Sequence, residues 1–371
     1  MLGTFILYLS MACFGYLWLK RIVRTRKCSS ISTWLRLLFP LFILSIIIGG
    51  RFEVGTDWEN YAEYYSWYKT IDIFKALSGL LALNLEPMFI LLMGLCGFMG
   101  FSQSFFFTII AFGIFVLILG GHKNKLFLLP LILFYFFGQM FGISMNIIRQ
   151  AIAISIFFYS LQYLGNSRIK LLICIVFAAL FHYSSIVLAA ALVIDNKIFS
   201  ILDRRNFVLF IFILTYLIGP MLVGLIDNVL PLHLFSDKYV QSANNLDNAM
   251  TVNSGLGIIA RKVVDAILII TSTKIIDYYQ DDNMRYVYRL YFVGIILANI
   301  MGVSEYLARL VYGYELLRIM VLAYYTYYAF RSKNALFQII ALMLIALNVL
   351  FLFMGVMNSS SGCSPYQFLW Q

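Results

Sequence analysis

The sequence predicts an all-α protein that crosses a membrane many times, and three observations support this fold class. Hydrophobic residues make up 62% of the 371 residues, and charged residues only 12%. The mean hydropathy is +0.89, which is more apolar surface than a soluble domain can bury while keeping a wettable exterior. Apolar runs of roughly 17 to 25 residues, the length that spans a bilayer as a helix, recur from end to end.

Short polar links separate the apolar runs, and no domain-sized soluble stretch interrupts them. We therefore predict a single integral membrane domain over residues 1–371, with about 11 to 13 transmembrane helices. The candidate segments lie near residues 2–19, 35–50, 87–100, 104–121, 126–142, 143–164, 171–194, 207–230, 256–273, 291–303, 312–330 and 335–357.

The first segment, Leu2–Leu19, has no basic residue before it and no small-residue cleavage site after it, which favours a retained helix over a signal peptide. A basic run, 20–27, follows it, and the positive-inside rule places this link in the cytoplasm and the N-terminus outside. Topology signals and contact with anionic lipid headgroups account for the net charge of +10. Because the basic residues form no aromatic-interleaved patch, we expect no nucleic-acid partner.

Two topologies fit these segments. If every segment crosses once, the links His122–Lys125 and Arg168–Lys170 lie outside, against the positive-inside rule. Moving both inside requires an odd number of crossings in 87–121 and a broken or re-entrant pair of short helices in 171–194, and we favour this second topology. Both topologies place three stretches outside: a periplasmic loop at about 51–86, a second external loop at about 231–255, and the tail from Asn358.

Cysteine and histidine usage supports neither a disulfide framework nor a metal site. The five cysteines are odd in number and scattered along the chain. The three histidines, His122, His182 and His233, are too dispersed for a ligand motif. We expect no metal and no other cofactor.

The first external loop opens with GRFEVGTDWENY, Gly50 to Tyr61, which concentrates much of the scarce charge of the chain. The charged residues are Arg51, Glu53, Asp57 and Glu59. Two interpretations fit this stretch: a solvated loop with helix-capping acids, or the mouth of a functional site.

Further ionisable residues lie in or beside apolar segments, where a charge costs a few kcal/mol on insertion. Arg149 either snorkels to headgroups or lines a functional cavity. His182 is either a hydrogen-bonded core histidine or the point at which a helix opens, since polar residues 183–185 follow it. Glu305 and Arg309, four residues apart, either pair with each other or serve a site.

These residue types share a chemistry. The guanidinium groups of Arg51, Arg149 and Arg309 suit phosphate oxygens, while the acids of the first loop and His182 can accept a proton. Near an outer membrane surface, the combination predicts a site for a lipid diphosphate and for a hydroxyl group that must be deprotonated.

Five sequence blocks carry a further signal, and they occur in a fixed order. They are RFEVGTDWENY; LNLEPMF, with Asn84 and Glu86; IRQAIAISI, with Arg149; AALFHYSSIV, with His182; and SPYQFLW, with Tyr366. The first resembles the R-x-x-x-GTD-[YW]-x-x-Y signature of the EpsG/Wzy-type O-antigen or exopolysaccharide polymerases, multispanning proteins of the bacterial inner membrane, and the others resemble the blocks that follow it in that family. The resemblance runs from about residue 50 to the end, with little to match between about 195 and 300.

This resemblance implies polymerisation of undecaprenyl-diphosphate-linked oligosaccharide repeat units at the periplasmic face of the inner membrane. The donor would be a growing glycan on undecaprenyl diphosphate, and the acceptor would be the non-reducing-end hydroxyl of a new repeat unit. A repeat-unit flippase and a chain-length regulator would be functional partners, besides the inner-membrane lipids. No metal is required, because arginines can stabilise the departing diphosphate.

The resemblance also suggests roles for individual residues. Six are expected to contact the diphosphate or the sugar: Arg51, Glu53, Glu86, Arg149, Arg309 and Tyr366. The base would be Asp57 or His182. We favour Asp57, because it follows a glycine turn outside the apolar run, although capping of that turn is an alternative role for it.

Three other functions fit a membrane site of this kind. An O-antigen ligase usually carries its long external loop late in the chain, whereas the longest loop here, 51–86, is early. A flippase or transporter would spread its charges along a path through the membrane instead of clustering them toward the outer face. A membrane acyltransferase needs a histidine and an acid on the side where acyl groups arrive, and His182 leaves that function open.

Overall fold

The computed structural model describes residues 1–24, 30–70, 85–122, 127–229, 255–302 and 305–369. Within these ranges the regular structure is helical, apart from one antiparallel bridge between Arg51 and Phe368. The predicted all-α class is therefore confirmed. Asn84 and the predicted external loop at about 231–255, up to residue 254, lie outside the described residues.

Most helices overlap the predicted apolar segments, but Trp58–Tyr68 is a helix within the predicted external loop at about 51–86, and breaks near residues 138, 147 and 316 divide segments that were predicted as continuous. The α-helices are α1 Leu2–Arg24, α2 Ser30–Gly49, α3 Trp58–Tyr68, α4 Pro87–Phe98, α5 Gln103–Gly120, α6 Leu128–Phe137, α7 Gln139–Asn146, α8 Ile148–Ser160, α9 Arg168–Ala179, α10 Arg205–Val229, α11 Leu256–Tyr279, α12 Asp282–Met301, α13 Glu305–Glu315, α14 Arg318–Arg331 and α15 Ala335–Met357. Shorter 3-10 helices run over Leu161–Tyr163, Tyr183–Val193, Lys197–Asp203 and Ser360–Gly362.

Among the described residues, three helices are long and apolar enough to cross a membrane unaided. They are Leu2–Val23, Gln103–Gly120 and Ala335–Met357. Two bent pairs raise the number to five if each pair is one span: Leu128–Phe137 with Met140–Asn146, bent by 58°, and Tyr183–Val193 with Lys197–Asp203, bent by 93°. The multi-pass membrane class is thus supported, while the figure of about 11 to 13 crossings stays a prediction.

The helices form two compact units. The first unit comprises Met1–Tyr159, Val176–His182 and Ile339–Gln371, and the second unit comprises Ser160–Ile175 and Tyr183–Gln338. The single membrane domain expected from the sequence stays a prediction.

Glycines set the helix spacing inside each unit. In the first unit α2 packs along α5, and a Cβ on Gly49 would lie 2.1 Å from the Thr108 hydroxyl oxygen. In the second unit α12 packs against α13, and a Cβ on Gly294 would lie 2.6 Å from the backbone of Tyr314. Small residues at helix crossings let backbones approach closely, which is how helices associate in a membrane.

Large apolar side chains cover much of the outer surface of both units. Phe98 is 85% exposed, Met221 77% and Leu342 56%. Such exposure would be a liability in water, but it is the expected surface of a protein that faces lipid.

The chain breaks where the sequence predicted an opening. α9 ends at Ala179, residues 180–182 are irregular, and the 3-10 helix starts at Tyr183. The segment 171–194 is therefore broken into two short helices, as the favoured topology requires. The break leaves His182 outside both helices, with its side chain able to reach a neighbour.

Candidate functional site

A loop, 50–57, leaves α2 and enters α3, and it carries the predicted site residues Arg51, Glu53 and Asp57. Arg51 anchors this loop and is 2% exposed. Its Nε donates to the Val54 carbonyl oxygen at 3.2 Å, its Nη1 to that of Ile48 at 2.8 Å, and its Nη2 to that of Met145 at 3.2 Å. Each guanidinium nitrogen is thus bonded to a backbone acceptor, a bonding pattern that holds chain segments together.

The C-terminal tail also holds the loop 50–57 in place. Phe52 N donates to the Gln367 carbonyl oxygen at 2.9 Å, and Leu369 N donates to that of Gly50 at 2.9 Å. The tail therefore adds a short antiparallel pairing along the loop, with Arg51 at its centre.

Tyr366 holds the tail against the first two helices. Its hydroxyl donates to the Ile47 carbonyl oxygen near the end of α2, and its backbone N–H donates to the Thr4 hydroxyl at 2.8 Å. Burial raises the pKa of the phenol, so Tyr366 stays a neutral donor. The residue fixes the tail against the helices that start the chain.

The Gly-Thr-Asp turn docks onto Asn146 at the end of α7. Thr56 N donates to Asn146 Oδ1 at 2.7 Å, and Gly55 N donates to the Gly362 carbonyl oxygen at 2.9 Å. Gly55 has φ +104°, and a Cβ there would lie 2.9 Å from Asn146 Oδ1. Only glycine combines that backbone conformation with so close an approach.

Three ionisable side chains from distant parts of the chain meet beside this loop. Arg149 Nη1 pairs with Glu86 Oε2, and His182 Nδ1 lies 2.9 Å from Glu86 Oε1. The Glu86 side chain is 4% exposed, that of Arg149 23% and that of His182 20%. One buried carboxylate therefore holds an arginine on one oxygen and a histidine on the other.

Local structure explains why these three side chains can converge. Glu86 is the N-cap residue of α4, with Pro87 at the first helical position, which suits a residue without an N–H. Arg149 lies in the first turn of α8, and His182 lies in the break after α9. Met88 N donates to the Leu180 carbonyl oxygen at 3.1 Å, tying the α4 start to that break.

The electrostatics keep the carboxylate ionised. Burial raises the pKa of Glu86, but the His182 hydrogen bond and the Arg149 charge lower it, and the net pKa lies below its ordinary value. Glu86 is therefore an anion at neutral pH.

Tyr61 and Asp57 extend the cluster toward the turn. Arg149 donates a hydrogen bond to Tyr61, which is 5% exposed on α3. Burial, opposed by Arg149 and reinforced by the Asp57 charge, raises the pKa of the Tyr61 phenol. Asp57 occupies the N-cap position of α3, but its side chain makes no capping hydrogen bond.

Two buried nitrogen atoms of this cluster have no hydrogen-bond partner among the described residues. They are Arg149 Nε, a donor, and His182 Nε2. Because buried polar groups are almost always satisfied, such a pair indicates a polar ligand or ordered water. The cluster Asp57, Tyr61, Glu86, Arg149 and His182 is our candidate functional site.

The remaining predicted residues lie elsewhere. Glu53 is exposed and adopts φ 53°, in the left-handed region. Arg309 lies in the second unit on α13. In the part of the chain that the structure describes, no group of three or more histidine, cysteine or acidic residues is arranged to hold a metal ion.

Sequence reasoning missed two residues that shape the site. Tyr61 ends the GTD-[YW]-x-x-Y signature and contacts Arg149, so the signature itself carried the signal. Asn146 precedes Arg149 by three residues and was marked by no motif. Its role depends on a turn 90 residues away in the chain.

Comparison with protein-family models identifies the family of the chain. The EpsG family model matches residues 34–368, nearly the whole chain. The chain belongs to the EpsG family. Neither curated proteins nor solved structures give a match.

EpsG membership makes this a multi-pass membrane protein of polysaccharide biosynthesis. Four of the five blocks that carried the resemblance lie wholly in the first unit, at least over their described residues, and the fifth begins there and ends beyond His182. The sequence blocks that resemble the family therefore lie mostly in the unit that contains the loop 50–57 and Glu86.

Proposed function

We propose that this EpsG-family protein polymerises undecaprenyl-diphosphate-linked oligosaccharide repeat units at the periplasmic face of the bacterial inner membrane. One observation carries the proposal: a buried carboxylate, Glu86, holds Arg149 and His182, and each of these presents a nitrogen without a partner among the described residues. A donor for phosphate oxygens and an acceptor for a hydroxyl proton are the two groups that this glycosyl transfer needs.

Arg149 is the proposed diphosphate ligand. Glu86 and Tyr61 orient its guanidinium group, and Nε remains for an oxygen of the departing diphosphate. A preorganised cation in a site shielded from water stabilises developing negative charge far more than one in bulk water. Arginine can supply this charge where a divalent ion would do so elsewhere.

His182 is the proposed base. An ionised Glu86 accepts a hydrogen bond from Nδ1–H, which fixes the tautomer and leaves the lone pair of Nε2 available. This support favours His182 over Asp57, the residue preferred from the sequence. Asp57 instead helps to keep the Tyr61 phenol protonated, so we assign it a positioning role.

The proposed reaction transfers the donor glycan to the acceptor hydroxyl. The acceptor hydroxyl oxygen attacks the anomeric carbon of the donor glycan, and its proton moves to His182 Nε2. The bond from that carbon to the undecaprenyl diphosphate oxygen breaks, and the diphosphate leaves with the bonding electrons against Arg149. The proton returns to solvent or to the leaving group, which restores neutral His182.

Three predicted substrate contacts, Arg51, Glu86 and Tyr366, are reassigned to positioning roles within this proposal. Arg51 and Tyr366 donate to backbone carbonyl oxygens, so we propose that they position the loop 50–57 and the tail and do not bind the diphosphate. Glu53 is exposed and keeps its proposed role as a contact to the sugar portion.

The first experiment separates catalysis from structure. Purified protein in nanodiscs is given synthetic lipid-linked repeat units and scored for dimer formation. His182→Ala should lower turnover by a factor of roughly 100 to 10,000 without reducing the amount of folded protein. Asp57→Asn should stay within about tenfold of the wild type, since its effect reaches the site through Tyr61.

His122→Ala is the matched control, because His122 is another partly buried histidine of the first unit. It should retain turnover. Near-normal turnover in His182→Ala, or an inactive but folded Asp57→Asn, would return the base to Asp57.

A genetic experiment separates polymerase from its alternatives. Deletion of the gene should leave a lipopolysaccharide core that carries a single repeat unit. Gel electrophoresis of the surface polysaccharide detects this product. Unsubstituted core with accumulated lipid-linked polymer would indicate a ligase instead, and loss of all external repeat units would indicate a flippase.

The side of the membrane is tested by labelling. Ser66 is exposed on α3, within the loop proposed to be periplasmic. Ser66→Cys in a background without other accessible thiols should react with an impermeant reagent in intact spheroplasts. Reaction only after lysis would overturn the assigned face.

A further inference from the structure

A row of aromatic side chains runs along α3, away from the candidate functional site. Tyr61 receives a hydrogen bond from Arg149, and the Tyr61 ring lies 6.3 Å from the ring of Tyr64. The Tyr64 ring lies a further 6.3 Å from the ring of Trp67. We call Tyr61, Tyr64 and Trp67 the aromatic track. Ring-to-ring contacts thus connect the candidate site with the far end of the helix.

Exposure to solvent increases along the aromatic track. Tyr61 is 5% exposed, Tyr64 is half-buried and Trp67 is 48% exposed. The six residues from Tyr61 to Trp67 rise by about 9 Å along the helix axis. The track therefore begins inside the candidate site and ends on the surface of the first unit.

Polar side chains accompany the rings on the exposed side of α3. Asn60, Glu63, Tyr64 and Trp67 are spaced three, four and seven residues apart, so they lie along one face of the helix. Asn60 and Glu63 are exposed. Within the part of the chain that the structure describes, their side chains have no hydrogen-bond or ion-pair partner. An amide and a carboxylate are therefore available beside the rings.

The charge of this face argues against contact with lipid headgroups. α3 carries two acids, Glu59 and Glu63, and no basic residue before its C-cap Lys69. Helices that lie on a membrane surface carry lysine and arginine on their polar face, because anionic headgroups attract these cations. The apolar surface lies beyond the end of α3, where Phe98 is 85% exposed and a Cβ on Gly97 would lie 2.3 Å from Lys69 Cα.

Saccharides have the two kinds of surface that this face can contact. One side of a pyranose ring presents C–H groups with a small positive charge, which the negative face of an aromatic ring attracts. The hydroxyl groups around the ring donate strong hydrogen bonds to a carboxylate, and they can donate to an amide or accept from it. Aromatic rings flanked by Asn60 and Glu63 match both surfaces.

We propose that the aromatic track, together with Asn60 and Glu63, binds the growing glycan of the donor. This inference rests on the proposed function, in which Arg149 holds the diphosphate that leaves the donor. The sugar attached to that diphosphate lies next to Arg149 and therefore next to Tyr61, so the following sugars of the same chain extend over Tyr64 and Trp67. Contacts with sugars remote from the reacting carbon supply binding energy that positions the donor.

Steady-state kinetics test this assignment if each substrate can play one role only. The donor is a lipid-linked repeat unit whose non-reducing-end hydroxyl is methylated, so it cannot act as acceptor. The acceptor is a lipid-linked repeat unit with a CH2 group in place of the glycosidic oxygen, so it cannot act as donor. Trp67→Ala should raise the donor KM about three- to tenfold, the value of one aromatic contact, and leave the acceptor KM and kcat within about twofold. Trp67→Tyr keeps a ring and should restore the donor KM.

Phe98→Ala is the matched control, because Phe98 is an exposed aromatic residue close to the end of α3 that lies outside the track. It should leave both KM values unchanged. Trp67 and Phe98 are both exposed, so neither substitution should lower the yield of folded protein. An equal rise of the donor KM in Phe98→Ala would mean that exposed aromatic residues here seat the protein in the membrane, and it would overturn the proposal.

Binding without turnover gives a second measurement. The probe is the free oligosaccharide repeat unit, without lipid or diphosphate, and saturation-transfer NMR detects its contact with protein in nanodiscs. Wild type and His182→Ala should bind it equally, and Trp67→Ala should bind it more weakly. Unchanged binding and donor KM in Trp67→Ala, or a rise of the acceptor KM in place of the donor KM, would overturn the proposal. Failure of the proposed function would appear separately, as normal turnover in His182→Ala with Trp67-dependent binding of the free oligosaccharide intact.

Discussion

Arg51 and Arg149 have the same predicted role, but the structure places their side chains in different environments. Both lie in the first unit, and the sequence assigned both to the diphosphate. Arg51 is buried and donates to three backbone carbonyl oxygens, with the Phe107 ring 4.8 Å from its guanidinium carbon. Arg149 is partly exposed, pairs with the side chains of Glu86 and Tyr61, and has an Nε without a partner among the described residues.

The difference separates an arginine that holds the loop from the arginine proposed as a ligand. Backbone carbonyl oxygens cannot move away without unfolding the loop, so an arginine bonded to them has no freedom to exchange partners. A carboxylate and a phenol can shift by a rotamer change, so Arg149 can donate to a phosphate oxygen without loss of the fold. We call the loop 50–57 and the tail 366–369, which Arg51 and Tyr366 hold in place, the frame of the candidate site. We call the side-chain cluster around Arg149 its centre.

Replacement of Arg149 should have the largest effect on function. Arg149→Lys should lower turnover about 100- to 1,000-fold, because a point charge cannot reproduce the guanidinium fork that holds both Glu86 and a diphosphate oxygen. Dimer formation in nanodiscs measures this, with protein amount and thermal unfolding recorded in parallel.

Arg168→Lys is the control for that substitution. Arg168 is an exposed arginine paired with Asp195 at 2.9 Å, and an exposed pair contributes little. If lysine at 149 restores full-length polymer, Arg149 serves only as a charge or headgroup anchor, and its contrast with Arg51 disappears.

Sequence reasoning reached the fold class and most residues of the centre, for physical reasons. Apolar runs indicate helices directly, and the polar residues at 182–185 indicated the break after α9. Arg149 and His182 stood out because charge and imidazole are rare in apolar segments. The pairing of His182 with Glu86 joins residues 96 positions apart, and no local pattern encodes such a distance.

The frame was harder to predict than the centre. An arginine that binds carbonyl oxygens looks the same in a sequence as one that binds phosphate. Its partners are main-chain atoms of the loop and of Met145, and the pairing that closes over it comes from the tail at 367–369. Only tertiary contacts distinguish the two roles.

Replacement of Arg51 should affect stability instead of turnover. Arg51→Met would leave three buried carbonyl oxygens without their donor, at about 1 to 3 kcal/mol each. We expect a loss of about 3 kcal/mol or more in unfolding free energy, seen as a lower melting temperature and yield. Turnover per folded molecule should remain within a few-fold of wild type. A stable but inactive Arg51→Met protein would make Arg51 a ligand and reverse the comparison.

The charge of Glu86 should give a smaller, pH-dependent effect. Its folded-state pKa is held below the ordinary value of 4.5, as the His182 hydrogen bond and the Arg149 charge outweigh burial. The stabilisation is therefore present above that ordinary value and is lost as pH falls through the folded pKa. Melting temperatures of wild type and Glu86→Gln should differ at neutral pH and converge in acid. A difference that persists in acid would mean that Glu86 acts through packing and not through its charge.

The smallest effect is expected at Tyr366, which tests how far the frame extends. Tyr366→Phe removes the hydroxyl that donates to the Ile47 carbonyl oxygen but keeps the ring contacts with Tyr8 and Phe368. The main-chain pairing of 367–369 with the loop also remains. The loss should therefore be about 1 kcal/mol in unfolding free energy, with turnover nearly unchanged. Tyr8→Phe is the matched control, since its hydroxyl makes an equivalent bond to the Cys363 carbonyl oxygen at 2.6 Å. If Tyr366→Phe abolishes turnover in a fully folded protein while Tyr8→Phe does not, the Tyr366 hydroxyl contacts substrate and belongs with Arg149 instead of Arg51.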